Sequence, residues 1–157
     1  MTAKKKGATA LCIASSAGEL IIAWGTKELT VVDKDSGAIK RSTSALKHPA
    51  RRIIATRDGQ TLGVLAANEL YLVRGERLIA TRRAAYDLAW TKDERWLLTV
   101  NGDQLDRVDP ATGERRASLA LPLVVGAIAV TEERALLVSA ADSNLYRLAL
   151  PEEFFSE

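Results

Sequence analysis

A unit of about 40 residues recurs four times along this 157-residue chain, and that period constrains the fold more than any other feature. Leu29, Leu70, Leu105 and Leu145 each open a short apolar run, at separations of 41, 35 and 40 residues. Eight or nine residues before each of them another run begins, at Leu20, Leu62, Trp96 and Leu136. A further run precedes each pair: Leu11-Cys12-Ile13-Ala14, Ile53-Ile54-Ala55-Thr56, Leu88-Ala89-Trp90-Thr91 and Ala127-Ile128-Ala129-Val130-Thr131. In three of the four units a turn and a fourth run follow. Two of these turns share a spelling, Val32-Asp33-Lys34-Asp35-Ser36-Gly37 and Val108-Asp109-Pro110-Ala111-Thr112-Gly113. Aspartate accepts backbone amides two residues on, and glycine supplies the positive φ that closes such a turn. Short β-branched and aliphatic runs between turn clusters predict strands. Nowhere do apolar residues recur at helical spacing over three turns.

Four antiparallel strands every ~40 residues make the blade of a β-propeller. The third unit, from Ala89-Trp90-Thr91-Lys92-Asp93-Glu94 through Gly102-Asp103-Gln104-Leu105 to Asp109-Pro110-Ala111-Thr112-Gly113-Glu114, resembles the degenerate WD-type and quinoprotein-like propeller repeats. Those repeats run A-F-S-P-D-G, then a strand, then D-G-x-V-x-V-x-D-x-x-T-G. The second unit keeps Ala55-Thr56-Arg57-Asp58-Gly59 and the fourth Ala129-Val130-Thr131-Glu132-Glu133. The Gly-His and Trp-Asp dipeptides are absent, so the side-chain network of true WD repeats is not implied. The resemblance implies an all-β fold of about four propeller-type blades, with units at about 8–47, 48–83, 84–122 and 123–150. A basic tail, 1–7, precedes them, and an acidic-aromatic tail, 151–157, follows. A blade buries its faces only against neighbours, and the last unit stops after its third strand, before Pro151. Three arrangements are therefore expected: a closed four-bladed ring, two copies joined as one eight-bladed ring, or an open arc against another protein. A homodimer is favoured over a heteromeric partner.

Composition excludes several function classes. Net charge is +2, and without Lys4, Lys5 and Lys6 the body is 2 − 3 = −1, too balanced for a dedicated nucleic-acid binder. One cysteine, Cys12, allows no internal disulfide, and one histidine, His48, leaves no zinc site of Cys/His type. Phosphate loops, G-x-S-x-G and H-E-x-x-H are missing. Asp33-Lys34-Asp35-Ser36-Gly37 reads as a turn rather than a calcium loop. No catalytic residue, metal or cofactor is assigned, and an enzyme is not expected. The longest apolar stretch, 117–130, is interrupted by Ser118, Pro122 and Gly126, too broken for a membrane span. The basic start followed by a short apolar run imitates an export signal, but its apolar part is only about eight residues. Leu11 also sits where a lipoprotein signal needs a small residue. A cytoplasmic protein is expected.

The expected task is protein–protein interaction on a rigid surface, and the candidate contacts are Trp24, Phe154, Phe155, Arg51, Arg52, Arg82 and Arg83. Trp24 closes a strand and suits an interface anchor, whereas Trp90 and Trp96 suit core packing. Phe154 and Phe155 sit among Glu152, Glu153 and Glu157. That tail either docks in a partner's groove, clamps an open blade edge or caps its own fourth unit. Sorting turns by propeller face collects Lys47, His48, Arg51, Arg52, Arg82 and Arg83 on one side, where an acidic peptide or phosphate group could bind. Glu19, Asp58, Glu76, Asp93, Glu94, Glu132 and Glu133 fall on the other. The alternative is therefore a ligand-sensing or enzymatic domain using the basic face. Cys12 reads as a small buried residue of an inner strand.

Overall fold

The computed structural model describes residues 7–14, 17–44, 46–83, 85–132 and 134–156. The chain divides into two compact units, Met1–Arg83 and Ala84–Glu157. The first holds two four-stranded antiparallel sheets, each with its strands side by side in chain order. Blade 1 is β1 (Ala8–Ala14), β2 (Glu19–Trp24), β3 (Leu29–Asp33) and β4 (Ile39–Thr43). Blade 2 is β5 (Ala50–Ala55), β6 (Thr61–Ala66), β7 (Glu69–Arg74) and β8 (Arg77–Arg83). The second unit holds blade 3, with β9 (Asp87–Trp90), β10 (Leu97–Asn101), β11 (Gln104–Val108) and β12 (Arg115–Ala120). Blade 4 has three strands, β13 (Val125–Glu132), β14 (Ala135–Ala140) and β15 (Leu145–Ala149), followed by a 3-10 turn at Glu152–Phe154.

Alternation along the strands sorts side chains onto the two faces of each blade. In β2, Glu19, Ile21 and Ala23 are buried while Leu20, Ile22 and Trp24 are half-buried. The core of the first unit packs Ile21, Ala23, Leu29 and Val31 of blade 1 against Ile53, Leu62, Val64, Ala66, Tyr71 and Val73 of blade 2. The core of the second packs Leu98, Val100 and Leu105 of blade 3 against Ile128, Leu136 and Val138 of blade 4. Cys12 lies partly buried against the first core, as expected of a small apolar residue.

The turns explain the repeated aspartates. Between β5 and β6, Thr56 Oγ1 donates to Asp58 Oδ1 at 2.6 Å and accepts the Thr61 amide at 3.1 Å. Between β9 and β10, Thr91, Asp93 and Trp96 repeat that geometry at 2.6 and 3.1 Å. In the β3–β4 turn Asp33 Oδ1 accepts the Ser36 amide and hydroxyl, each at 2.9 Å, and Gly37 closes the turn at φ 69°. In the β11–β12 turn Asp109 accepts the Ala111 amide at 2.8 Å and Gly113 stands at φ 75°. These bonds favour the charged carboxylate. The Ser36 amide, with the Ser36 hydroxyl, holds Asp33 down at about 2, and the Thr56 hydroxyl chiefly holds Asp58 below its ordinary value. Asp93 and Asp109 are lowered too, their hydrogen bonds outweighing partial burial.

One charge assignment needs correction. Glu19 is not part of a solvated acidic face; it is 6% exposed. Arg41 Nη2 donates to Glu19 Oε2 at 3.0 Å, Nη1 donates to Oε1 at 3.3 Å, and Nη2 also donates to the Gly59 carbonyl at 2.8 Å. The pair therefore ties the outer strand of blade 1 to the β5–β6 turn of blade 2. In the second unit, buried Asp87 accepts the Ile128 amide at 2.8 Å and joins blade 3 to blade 4.

Two outcomes are expected. Glu19→Ala leaves Arg41 among buried groups without its carboxylate and should lower unfolding free energy by about 3–5 kcal/mol in denaturant titration. The turn aspartates are depressed in the folded state, so their contribution is present above the unfolded value near 4 and is lost as pH falls through the folded values. Thermal melts should therefore hold level from neutral pH to about 5 and decline between about 4 and 2; Asp33→Asn should flatten part of that decline.

Candidate functional site

Pairing register places two rows across the outward face of blade 1, the first half apolar and the second wholly apolar. Leu11 stands opposite Ile22, Ile22 opposite Thr30 and Thr30 opposite Ser42. Leu20 stands opposite Val32, and Val32 opposite Ile39. Leu11 is 57% exposed and Ile39 65%, while Leu20, Ile22 and Val32 are half-buried. Large apolar groups in register on one open face are uncommon on the surface of a single chain. Trp24 stands at its rim, half-buried, and donates from Nε1 to Thr30 Oγ1 at 2.9 Å. Thr30 lies 3.3 Å from the Ser42 hydroxyl, which in turn donates to the Glu28 carboxylate. The hydrogen bond fixes the indole, so Trp24 presents a rigid apolar plate, the property that suits the residue to an anchor.

The C-terminal aromatics go elsewhere. Phe154 is 4% exposed and belongs to the core of the second unit; Phe155 packs beside it edge-to-face, ring centroids 5.3 Å apart. The tail is held by Arg107, whose Nη2 donates to the Ser156 carbonyl at 2.9 Å, and by an Arg134–Glu152 ion pair at 3.3 Å. The tail packs within the second unit, reaching blade 3 through Arg107 and blade 4 through Arg134, rather than capping the fourth blade alone. Phe154 is thereby corrected from an exposed contact to a core residue: a phenyl ring next to an aliphatic core gains more from burial there than from water.

The basic cluster is less uniform than the turn sorting implied. Lys47, His48 and Arg51 are exposed and Arg52 is half-buried. Arg51 Nε donates to the Ala67 carbonyl at 3.0 Å. Glu69 stands within the same region, accepting the Tyr71 hydroxyl at 2.6 Å, and that hydroxyl lies 3.4 Å from the Lys47 amide. Burial, then the bond to Glu69, raises the Tyr71 phenol. The strand positions of Arg82 and Arg83 pair with Leu70 and Glu69; their side chains lie outside the described residues, as do those of Glu132 and Glu133 and all of Lys4, Lys5 and Lys6.

Sequence reasoning missed a cleft in the second unit. Trp96, Arg107, Asp109, Arg116 and Ser156 line a volume of about 430 Å³. Arg107, 3% exposed, lies with its guanidinium 4.3 Å from the Trp96 ring centroid. Arg116 donates to Asp109 at 2.9 Å and pairs with Glu114 at 3.3 Å. Both guanidinium groups thus meet acceptors or a π-face of the unit itself, which makes the cleft part of its scaffold. No sequence pattern signals a guanidinium that crosses from β11 to a tail residue 49 positions on. Among the described residues no three His, Cys, Asp or Glu side chains gather as a metal-binding group, and no helix is long and apolar enough to cross a membrane.

No family model matches the chain, and no curated protein does. Solved structures do. The chain is similar to the β-propeller domain of Cps50 (Swd1) from Myceliophteria thermophila, with TM-score 0.76 and 16% identity over 94% of this chain and 55% of that one. The fold is a β-propeller. It is similar as well to a chain of the Mitotic Checkpoint Complex, with TM-score 0.73 and 15% identity over 91% of this chain and 50% of that one. The chain thus spans about half the length of these two propellers. The computationally designed Ika4 protein matches with TM-score 0.73 and 13% identity, and 96% of each chain is covered.

The capping tail generates a direct expectation. Phe154→Ala should lower the stability of this unit by about 3–5 kcal/mol. Hydrogen exchange should show the loss in β9–β15, with the protection of β1–β8 retained.

Proposed function

We propose that this chain is a non-catalytic protein–protein interaction module, one repeat domain over residues 8–150 that presents preformed β-propeller surfaces. The observation that carries this reading is the outward face of blade 1, where exposed Leu11 and Ile39 stand in register with half-buried Leu20, Ile22 and Val32, with Trp24 fixed at the rim. A sheet held rigid by the core behind it loses little entropy on binding, so its apolar face converts efficiently into affinity. Two structures of the same fold support it in kind: one of them is a complex. The partner is a second copy or another protein, with the second copy favoured because a blade face is complementary to a blade face. The charge balance and single Cys12 suit work in the cytoplasm.

The second reading uses the basic cluster of Lys47, His48, Arg51 and Arg52 to hold an anion. Phosphate or an acidic peptide bound there would raise the melting temperature by mass action, about 2–4 °C for each kcal/mol in a chain of this size. The interaction reading expects melts with and without inorganic phosphate to coincide at constant ionic strength. A saturable upward shift that Arg51→Ala and Arg52→Ala abolish would replace it with the ligand-sensing one.

A further inference from the structure

We infer that the partner of blade 1 is a second copy of this chain, seated through the outward face of its blade 4. This rests on the interaction reading above and names the contact.

Within each unit, one rule governs how blades meet. The later blade offers one face, the earlier blade the opposite one. In the first unit the later blade offers Ile53, Leu62 and Val64, which are 5%, 2% and 0% exposed. In the second it offers Ile128, Leu136 and Val138, at 3%, 0% and 0%. Register makes the counterparts in blade 1 plain: Leu11 pairs with Ile22 as Ile53 pairs with Val64 and Ile128 with Val138. Leu11 is nevertheless 57% exposed, and Leu20 and Ile22 are only half-buried. Blade 1 therefore carries the face that, elsewhere in this chain, an earlier blade covers.

The earlier blade's face has its own signature. In blade 1 it is Ile21 and Leu29, at 0% and 1%, with Ala10 and Cys12 on the inner strand. In blade 3 it is Leu98 and Leu105, at 1% and 0%, with Ala89 on the inner strand. Blade 4 repeats this layout on its outward side. Leu145 pairs with Ser139 as Leu29 pairs with Ala23, and Leu137 pairs with Ala129 as Ile21 pairs with Cys12. Yet Leu145 is 69% exposed and Leu137 36%. The one chain thus displays both halves of the contact that it makes internally, one on blade 1 and one on blade 4. A second copy that offers its blade 4 to this blade 1, and its blade 1 to this blade 4, covers both faces of each chain; a contact that did not close in this way would grow into a filament.

The test is absolute mass in solution by light scattering across a concentration series, on the wild type and three variants. Leu11→Arg and Leu145→Arg each strike one half of the contact at a side chain that is exposed in the single chain, so folding is unaffected; circular dichroism checks this. Val124→Arg, at a residue 55% exposed between β12 and β13, strikes neither half. The inference expects a species of twice 17.0 kDa for wild type and Val124→Arg, and one of 17.0 kDa for each of the other two. A monomeric wild type overturns it, as does a dimer that survives Leu145→Arg, which would pair blade 1 with blade 1. So does dissociation by Val124→Arg, which would mark nonspecific association. None of these outcomes touches the phosphate melts, so a failure of this contact and a failure of the interaction reading are separately visible.

Discussion

A four-stranded sheet has two faces, and in this chain both are apolar; nearly everything else follows from the need to cover them. Burial along the second strand of each blade shows how far the need is met. Positions in β6 are buried without exception, whereas β2 alternates, with Leu20, Ile22 and Trp24 left half-open. In β14, Leu136 and Val138 are buried and Leu137 faces out. The same local sequence type thus gives a continuous apolar strand where both faces are covered and an alternating one where a single face is. At about 25 cal/mol per Å² of apolar surface removed from water, the neighbour blade, rather than strand propensity, is what stabilises each sheet.

Charge is used inside these units as much as on their surface. Arg41 bridges Glu19 and the Gly59 carbonyl, Asp87 caps the Ile128 amide, and Arg107 reaches the tail at Ser156. Each joins parts of the chain that aliphatic packing alone would leave free to slide. A buried pair adds little net energy beyond an apolar replacement. What it adds is register: the Arg41 fork fits one placement of the β5–β6 turn, and the Asp87 carboxylate one placement of β13.

The period, the strands and the turn chemistry were legible in the sequence because they depend on neighbours within about six residues. The Thr56-Asp58 and Thr91-Asp93 turns and the Asp33 and Asp109 turns are local hydrogen-bond networks written in adjacent letters. Parity was harder. Trp96 reads as the first residue of a run, yet it precedes β10, which starts at Leu97 and pairs with Val108. A slip of one residue exchanges the two faces of a strand, so the sequence alone could not say which of Leu97 and Leu98 looks toward blade 4. The same limit hid Glu19, whose partner is 22 positions away, and Phe154, whose environment is a core assembled from strands up to 65 residues earlier. Trp24 was placed at a strand end in sequence, and it ends β2 in the fold, because that position depends only on local pairing.

The two open faces differ in a way that bears on how a chain with unsatisfied blades stays manageable in water. Blade 1 presents aliphatic rows, but at its rim Trp24, Thr30, Ser42 and Glu28 form a hydrogen-bonded chain that keeps polar groups beside the apolar ones. Blade 4 repeats the layout of an internal face with two exchanges toward polarity: Ser139 stands where Ala23 stands in blade 1, and Arg147 where Val31 does. An arginine on the last strand also discourages that strand's edge from accepting stray strands. Its aliphatic stem can still lie along an apolar neighbour while the guanidinium reaches water. The exchanges therefore lower the apolar area shown by the single chain and leave Leu137 and Leu145 as the large apolar side chains exposed on this face.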